Sequence, residues 1–323
     1  MKFVVAKGIQ GWGDRLQCLL QAIRYARATG RYLVVDWRDP DWTHTPDVPV
    51  DHYFSVKGLR TFSYKDFASF YQHYEHELTV HPEAWRPHML SKEYHQWLYK
   101  PLFKTDGDGE RIHAIATFEE PDYLEDVVVY PGTGMRGFVY SDLDRLVPSK
   151  WVHDGIVKCF TYYNLIPNRY NVVHLRGGSK EWNGGTVPLE SLDKQIKEKW
   201  PTREAYFASL DVPPSNEDCV VLTDSFTLGT AWIEYAGHGR MLPDTHIKMS
   251  NESGTHKLTP KQLRTAERPV TKEDLNFEML RDFVVMTNAK RVVSDGLSLF
   301  SKMAVNCRES GARFIDIEAV WKI

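Results

Sequence analysis

Lys2-Phe3-Val4-Val5-Ala6 is a short apolar run that breaks at once into Gly8, Gly11 and Gly13. Beyond the glycines, Leu16, Leu19, Leu20, Ile23 and Ala26 recur at the three-and-four spacing of one helix face. The pattern predicts a strand, a glycine turn and a helix. That helix should close at Thr29-Gly30, where glycine accepts the left-handed conformation past the last turn. Tyr32–Trp37 then reads as a second buried strand. A βαβ unit of this kind crosses over right-handed, so it implies a parallel sheet with the glycine turn at its carboxyl edge.

From Pro40 to about Pro148 the periodicity is weak and aromatic and histidine side chains are dense, and no elements are assigned there. A helix is predicted from Pro148 to about Asn164, with Trp151, Val152, Ile156, Val157 and Phe160 on one stripe. Strands and helices then alternate: strand 171–175, helix 202–210, strand 219–223, helix 228–235, helix 274–288, strand 291–294 and helix 298–307. Residues 249–269 are polar and read as a long loop. Alternation of this kind predicts a doubly wound α/β fold, and 323 residues suit two such domains, 1–150 and 151–323.

Composition narrows the function classes. A formal net charge of −3 argues against the basic surface that nucleic-acid binding requires. No apolar run approaches the ~20 residues of a membrane span, and the amino terminus is too short in apolar residues for a secretory signal, so a cytoplasmic protein is expected. Cys18, Cys159, Cys219 and Cys307 contain no C-x-x-C pair and read as reduced, mostly buried thiols. Asp39-Pro40-Asp41, Asp106-Gly107-Asp108 and Asp142-Leu143-Asp144 space carboxylates as a metal-binding glycosyltransferase would, but such pairs arise readily among 43 acids, and no metal is placed. Gly11 and Gly13, with Asp36 downstream, partly match a dinucleotide fingerprint; Leu16 stands where the third glycine belongs, which disfavours a dinucleotide enzyme. With 10 Trp, 16 Tyr and 15 Phe, a non-catalytic carbohydrate-binding protein is the other rival, since sugar faces stack on aromatic rings.

Ligands of doubly wound sheets bind outside the carboxyl ends of the strands, and polar residues gather at three such ends. His174-Leu175-Arg176-Gly177-Gly178-Ser179-Lys180-Glu181 runs from strand into a cationic glycine turn, where an arginine fork, a lysine and closely approaching backbone suit a diphosphate. Thr223-Asp224-Ser225 ends the next strand, placed either for a ribose or as a helix cap. Ser294-Asp295-Gly296-Leu297-Ser298 opens a helix, where Ser298 either meets a phosphate or caps the first turn.

The order of these segments resembles the fucosyltransferase-like glycosyltransferase superfamily. Gly11-Trp12-Gly13-Asp14-Arg15-Leu16, then Tyr25-Ala26, Thr29-Gly30-Arg31 and Leu33-Val34-Val35-Asp36-Trp37, is similar to the opening of the rhizobial nodulation fucosyltransferases and, more loosely, to the plant cell-wall and protein O-fucosyltransferases. His174-x-Arg176, Thr223-Asp224 and Asp282 through Ser298 resemble the three donor motifs. The resemblance implies the GT-B architecture, two facing Rossmann-like domains, with the acceptor mostly on the first and a GDP-sugar on the second. It implies that Arg176 holds the β-phosphate, that His174 and Asp282 read guanine, that Asp224 lies near the nucleoside and that Ser298 meets the diphosphate. Gly177, Thr223, Ser294, Gly13 and Arg15 complete the expected nucleotide-sugar contacts. Lys180 falls where the α1,6-fucosyltransferases also carry lysine, whereas their catalytic glutamate falls at Gly184, which leaves Glu181 and Asp14 as candidate bases. The implied reaction is an inverting, metal-independent sugar transfer to a glycan or lipid-linked acceptor, with no cofactor besides the donor.

Overall fold

A computed structural model describes residues 1–44, 48–93, 98, 103–105, 111–113, 122–131, 139–175, 200, 202–224, 226–242, 258–265, 270–296 and 298–321. The chain forms two compact units, Met1–Ser149 with Ser310–Phe314, and Lys150–Glu309 with Ile315–Ile323. Residues 310–314 therefore return to the first unit, which a division of the sequence near residue 150 does not anticipate.

The first unit contains β1 (Phe3–Ala6), α1 (Trp12–Thr29), β2 (Tyr32–Val35), β3 (Phe54–Val56), α2 (Tyr64–Tyr74), β4 (Val80–His81), β5 (Phe103–Thr105), β6 (Arg111–His113), β7 (Val127–Tyr130) and β8 (Leu146–Pro148). Its main sheet has the order β2-β1-β7-β4 and is parallel throughout. Every residue of β1 is fully buried, as a central strand covered on both faces requires. One face packs on Phe67, Tyr71, Trp85 and Met89. Helix α1 starts at Gly11, which supplies no side-chain cap, and ends at Gly30 with φ 68°, the left-handed closure expected there. The stretch without predicted elements thus supplies α2, begun by Ser63 accepting from the Asp66 N–H, and the sheet strands β4 and β7.

The second unit contains α3 (Lys150–Tyr162), β9 (Tyr170–Leu175), α4 (Arg203–Ala208), β10 (Asp218–Thr223), α5 (Phe226–Ala236), β11 (Arg240–Met241), α6 (Pro260–Thr265), α7 (Lys272–Thr287), β12 (Arg291–Ser294), α8 (Leu299–Glu309) and α9 (Ile317–Trp321). Its parallel sheet has the order β11-β10-β9-β12. Helix α6 lies inside the polar stretch read as a loop, a correction to that reading; its polar sequence hides only one short turn of apolar contact through Leu263. Helix α7 opens on a reciprocal capping box between Thr271 and Asp274.

Side chains alternate across a strand, and this sheet uses both faces. Val173, Leu175, Cys219, Val221 and Val293 face a core with Trp200, Tyr206, Phe207, Leu228 and Trp232. His174, between two of these positions, faces α8, where its ring meets Phe300. Among the described residues no helix is long and apolar enough to cross a membrane. Cys18, Cys219 and Cys307 are buried, and none of the four cysteines forms a disulfide.

Candidate functional site

The carboxyl edge of the second sheet gathers residues that the sequence spreads over more than a hundred positions. In register, His174 of β9 lies beside Leu222 of β10 on one side and Ser294 of β12 on the other, and Thr223 lies beside Leu175. Strand β9 has β10 and β12 on opposite sides, the arrangement that opens a crevice at the strand ends. His174 is 8% exposed, and its ring packs at 5.6 Å on Phe300, which in turn packs at 6.1 Å on Phe283 of α7. The imidazole is therefore fixed by aromatic packing at the edge. Thr223 and Asp224 are half-buried beside it. At the start of α5, a Cβ on Gly229 would come within 2.5 Å of Met241 Sδ and 3.0 Å of Thr223 Cγ2, so glycine is what lets this helix approach the end of β10.

The turn from β12 to α8 distinguishes the two readings of Ser298. A capping serine accepts from the first turn of its helix, yet the Ser298 Oγ has no hydrogen-bond partner among the described residues although the residue is 2% exposed. Its carbonyl instead accepts from Lys302 N–H and Ser301 Oγ. Gly296, at φ 69°, turns the chain here, and Ser294 is half-buried. An unspent buried hydroxyl in front of a helix amino terminus suits an anion.

Asp282 is not the solvated acid that a position in the middle of a helix usually implies. Its side chain is 17% exposed, and its Oδ1 accepts from both Nε and Nη2 of Arg281, at 3.0 and 2.9 Å, with Arg281 itself 1% exposed. Burial pushes the Asp282 carboxyl above the usual range, with Arg281 opposing but not cancelling the shift. With both lone pairs of Oδ1 engaged, Oδ2 is the oxygen that has no partner among the described residues and that could accept from a ligand. Sequence reasoning overlooked Arg281, whose signal is only its adjacency to the acid.

The glycine turn of the first unit is built differently from the expectation. Arg15, expected to line a nucleotide, is fully buried in the framework. Its Nη1 and Nη2 donate to Asp39 Oδ2 and Oδ1 at 2.9 and 2.6 Å, its Nη1 also to Gly8 O at 2.7 Å, and its Nε to Gln10 O at 2.9 Å. Its guanidinium lies 5.5 Å from the Trp37 ring and 5.3 Å from the Trp42 ring. The critical glycine is Gly8, where a Cβ would sit 2.9 Å from Trp37 Nε1 and 3.0 Å from Arg15 Cα. Gly13 is buried in the first turn of α1, and Asp14 beside it is half-buried.

The acids singled out in this unit are also engaged. Asp39 holds Arg15, and Asp142 Oδ1 accepts from Arg27 and Arg145 at 2.7 and 2.8 Å. Asp36, at the ribose position of a dinucleotide fold, binds Lys7 at 2.6 Å and Arg38 at 2.7 Å. Burial alone would raise its pKa, but those two cations hold it below the usual carboxylate value. Among the described residues no group of three or more His, Cys, Asp or Glu is placed to hold a metal ion. Arg176, Gly177, Lys180, Glu181 and the pair Asp106 and Asp108 lie outside the described residues.

No protein-family model matches the sequence, and no curated protein matches it. Solved structures do match. The fucosyltransferase NodZ from Bradyrhizobium superposes with a TM-score of 0.59 at 15% identity, covering 94% of this chain and 92% of its own. NodZ alpha-1,6-fucosyltransferase soaked with GDP-fucose gives a TM-score of 0.56 at 14% identity, and the form co-crystallized with GDP gives 0.55 at 14%; each covers 94% of this chain and 91% of its own. At these identities the likeness is one of fold: this chain has the two-unit α/β architecture of the GT-B fucosyltransferases.

Proposed function

We propose that this protein is an inverting, metal-independent glycosyltransferase that moves fucose or a related sugar from a GDP-sugar to a glycan or lipid-linked acceptor, in cytoplasmic polysaccharide assembly. The observation that carries the proposal is the carboxyl edge of the second sheet. His174 and Ser294 lie side by side, Thr223 is on the adjoining strand, and the unspent Ser298 hydroxyl is on the turn that follows Ser294, in a fold shared with an enzyme solved with GDP-fucose. In this reading the second unit holds the nucleotide sugar and the first holds most of the acceptor. His174 and Asp282 read the base, Asp224 and Ser294 line the nucleoside side, Thr223 contributes through the end of β10 rather than from the His174 face, and Ser298 and Gly177 meet the diphosphate.

The chemistry follows from where charge develops. Departure of a nucleoside diphosphate concentrates negative charge while the sugar becomes oxocarbenium-like. Arg176 and Lys180 supply the compensating charge, and a carboxylate, Glu181 or Asp14, takes the acceptor hydroxyl's proton. A dinucleotide function has no comparable support, since Asp36 is already held by two cations.

Binding to the folded state raises the melting temperature by mass action, so a thermal-shift panel of GDP, UDP, ADP and NAD tests the nucleotide class directly. A shift with GDP alone is expected; a shift with NAD alone would replace the proposal with its rival. Transfer from GDP-fucose is expected to keep its full rate in EDTA. A strict Mn²⁺ or Mg²⁺ requirement would overturn metal independence.

Asp282 provides a sharper test. If Oδ2 accepts from the guanine edge, Asp282→Asn weakens that acceptor or turns a donor toward a donor, at a cost of ~1–3 kcal/mol. GDP affinity should fall about tenfold or more, each 1.4 kcal/mol being a factor of ten, while UDP binding hardly changes. The ionised carboxylate is the binding form, so wild-type GDP affinity is full above the raised pKa and declines as pH falls through it, beginning above the ordinary carboxylate range. Calorimetry across pH should show that decline in the wild type and its absence in Asp282→Asn. Equal GDP affinities for the two proteins would remove guanine recognition from Asp282.

A further inference from the structure

The turn between β12 and α8 is tied from beneath by a residue that no donor motif contains. Tyr206 of α4 is fully buried, and its hydroxyl donates to Oδ2 of Asp295 at 3.1 Å. Asp295 is 9% exposed and directly follows Ser294, the register partner of His174. Val293 and Tyr206 belong to one core, so by strand alternation Asp295 points to that core face while His174 and Ser294 point to the other. The Tyr206 ring is itself wedged against Trp200, with centroids 5.1 Å apart and edge to face. Helix α4 is fixed at its start by Thr202, which accepts from the Ala205 N–H.

We propose that Tyr206 is a positioning residue for the diphosphate-facing turn: its hydroxyl, through Asp295, sets the height and orientation of the turn beyond Ser294, at Gly296 and Ser298, and so aims the Ser298 hydroxyl, while Ser294 stays held by its pairing with β9. The inference rests on the nucleotide-sugar reading above. Tyr206 touches no ligand in this arrangement, because the anchor and the site occupy opposite faces of β12. Without the phenolic hydroxyl, the turn keeps its glycine but loses a directional tie to a buried side chain. A turn free to shift by a fraction of an ångström presents its backbone and Ser298 poorly to a diphosphate, while a nucleoside held at His174 and Asp282 is unaffected.

Tyr206→Phe keeps the ring and its packing on Trp200 and removes only the donor. The experiment compares GDP and guanosine binding to wild type and Tyr206→Phe by titration, together with melting temperatures. We expect GDP affinity to fall about tenfold, the scale of one lost hydrogen bond to a buried acceptor, with guanosine affinity unchanged. Asp295→Asn, whose amide oxygen still accepts the phenolic proton, should lose less GDP affinity than Asp295→Ala, which provides a second measurement should Tyr206→Phe fold poorly. A merely structural role predicts a lower melting temperature with the ratio of GDP to guanosine affinity unchanged, and that result, or wild-type GDP binding by both Tyr206→Phe and Asp295→Ala, overturns the inference. Failure of the wild type to bind GDP removes the nucleotide-sugar reading and this inference with it, so the two failures are told apart by the wild-type titration.

Discussion

Arg15→Ala is expected to destabilise the first unit by about 3–5 kcal/mol, because breaking one side of a buried ion pair strands the other charge. Arg15 has no exposed side-chain surface and Asp39 has 9%, so neither charge has water to fall back on. The substitution also removes a donor from the Gly8 and Gln10 carbonyls, and it opens a void beside the packed Trp37 and Trp42 rings. Arg15→Lys should recover only part of the loss, since an ammonium cannot make the paired bonds to both Asp39 oxygens while reaching both carbonyls. Neutralising both partners, as in Arg15→Met with Asp39→Asn, should cost less than Arg15→Ala alone, because no isolated charge remains. Urea unfolding followed by tryptophan fluorescence reads all of these. A loss below about 1 kcal/mol for Arg15→Ala would mean that the pair does not brace this turn.

The same residue shows how far the sequence could be read. Gly11-Trp12-Gly13-Asp14-Arg15 was legible as a strand-to-helix turn, since Leu16, Leu19, Leu20 and Ile23 mark the buried stripe of α1 by their spacing alone. What spacing does not carry is the partner of Arg15, Asp39, which in the sequence stands out only as half of an Asp-x-Asp spacing with Asp41 at which no metal is placed, because a buried ion pair leaves no periodic trace. Among the described residues of 40–148 the strands are two to four residues long, and aromatic side chains are both buried and exposed. Phe67 and Tyr71 of α2 are core while Tyr74 is exposed, so the helical stripe is blurred. The second unit was clearer because β9, β10 and β12 each carry a Val-Val pair and its helices carry apolar stripes. Even there, the neighbourhood of His174 and Ser294 depends on strand order, which long-range pairing fixes and local pattern does not. The bond from Tyr206 to Asp295 spans 89 positions and was invisible for the same reason.

Arg176→Ala is expected to lower the rate of sugar transfer by about 100-fold or more while leaving the melting temperature nearly unchanged. Arg176 directly follows Leu175, the last residue of β9, whose register places it beside Thr223. In the proposed reading, a charged donor following this strand end meets the diphosphate where negative charge grows as the glycosidic bond breaks. One such preorganised donor contributes ~3 kcal/mol to the transition state, which is the source of the expected factor. Because the charge is larger in the transition state than in the bound donor, the loss should appear mainly in kcat and less in GDP-sugar affinity. Arg176→Lys should remain well below wild type, since a point charge cannot engage two phosphate oxygens at once. Steady-state transfer from GDP-fucose, with GDP titration of the same proteins, measures both quantities. A variant with wild-type kcat would show that the charge of the leaving diphosphate is met elsewhere, and would move the catalytic assignment away from the turn after β9.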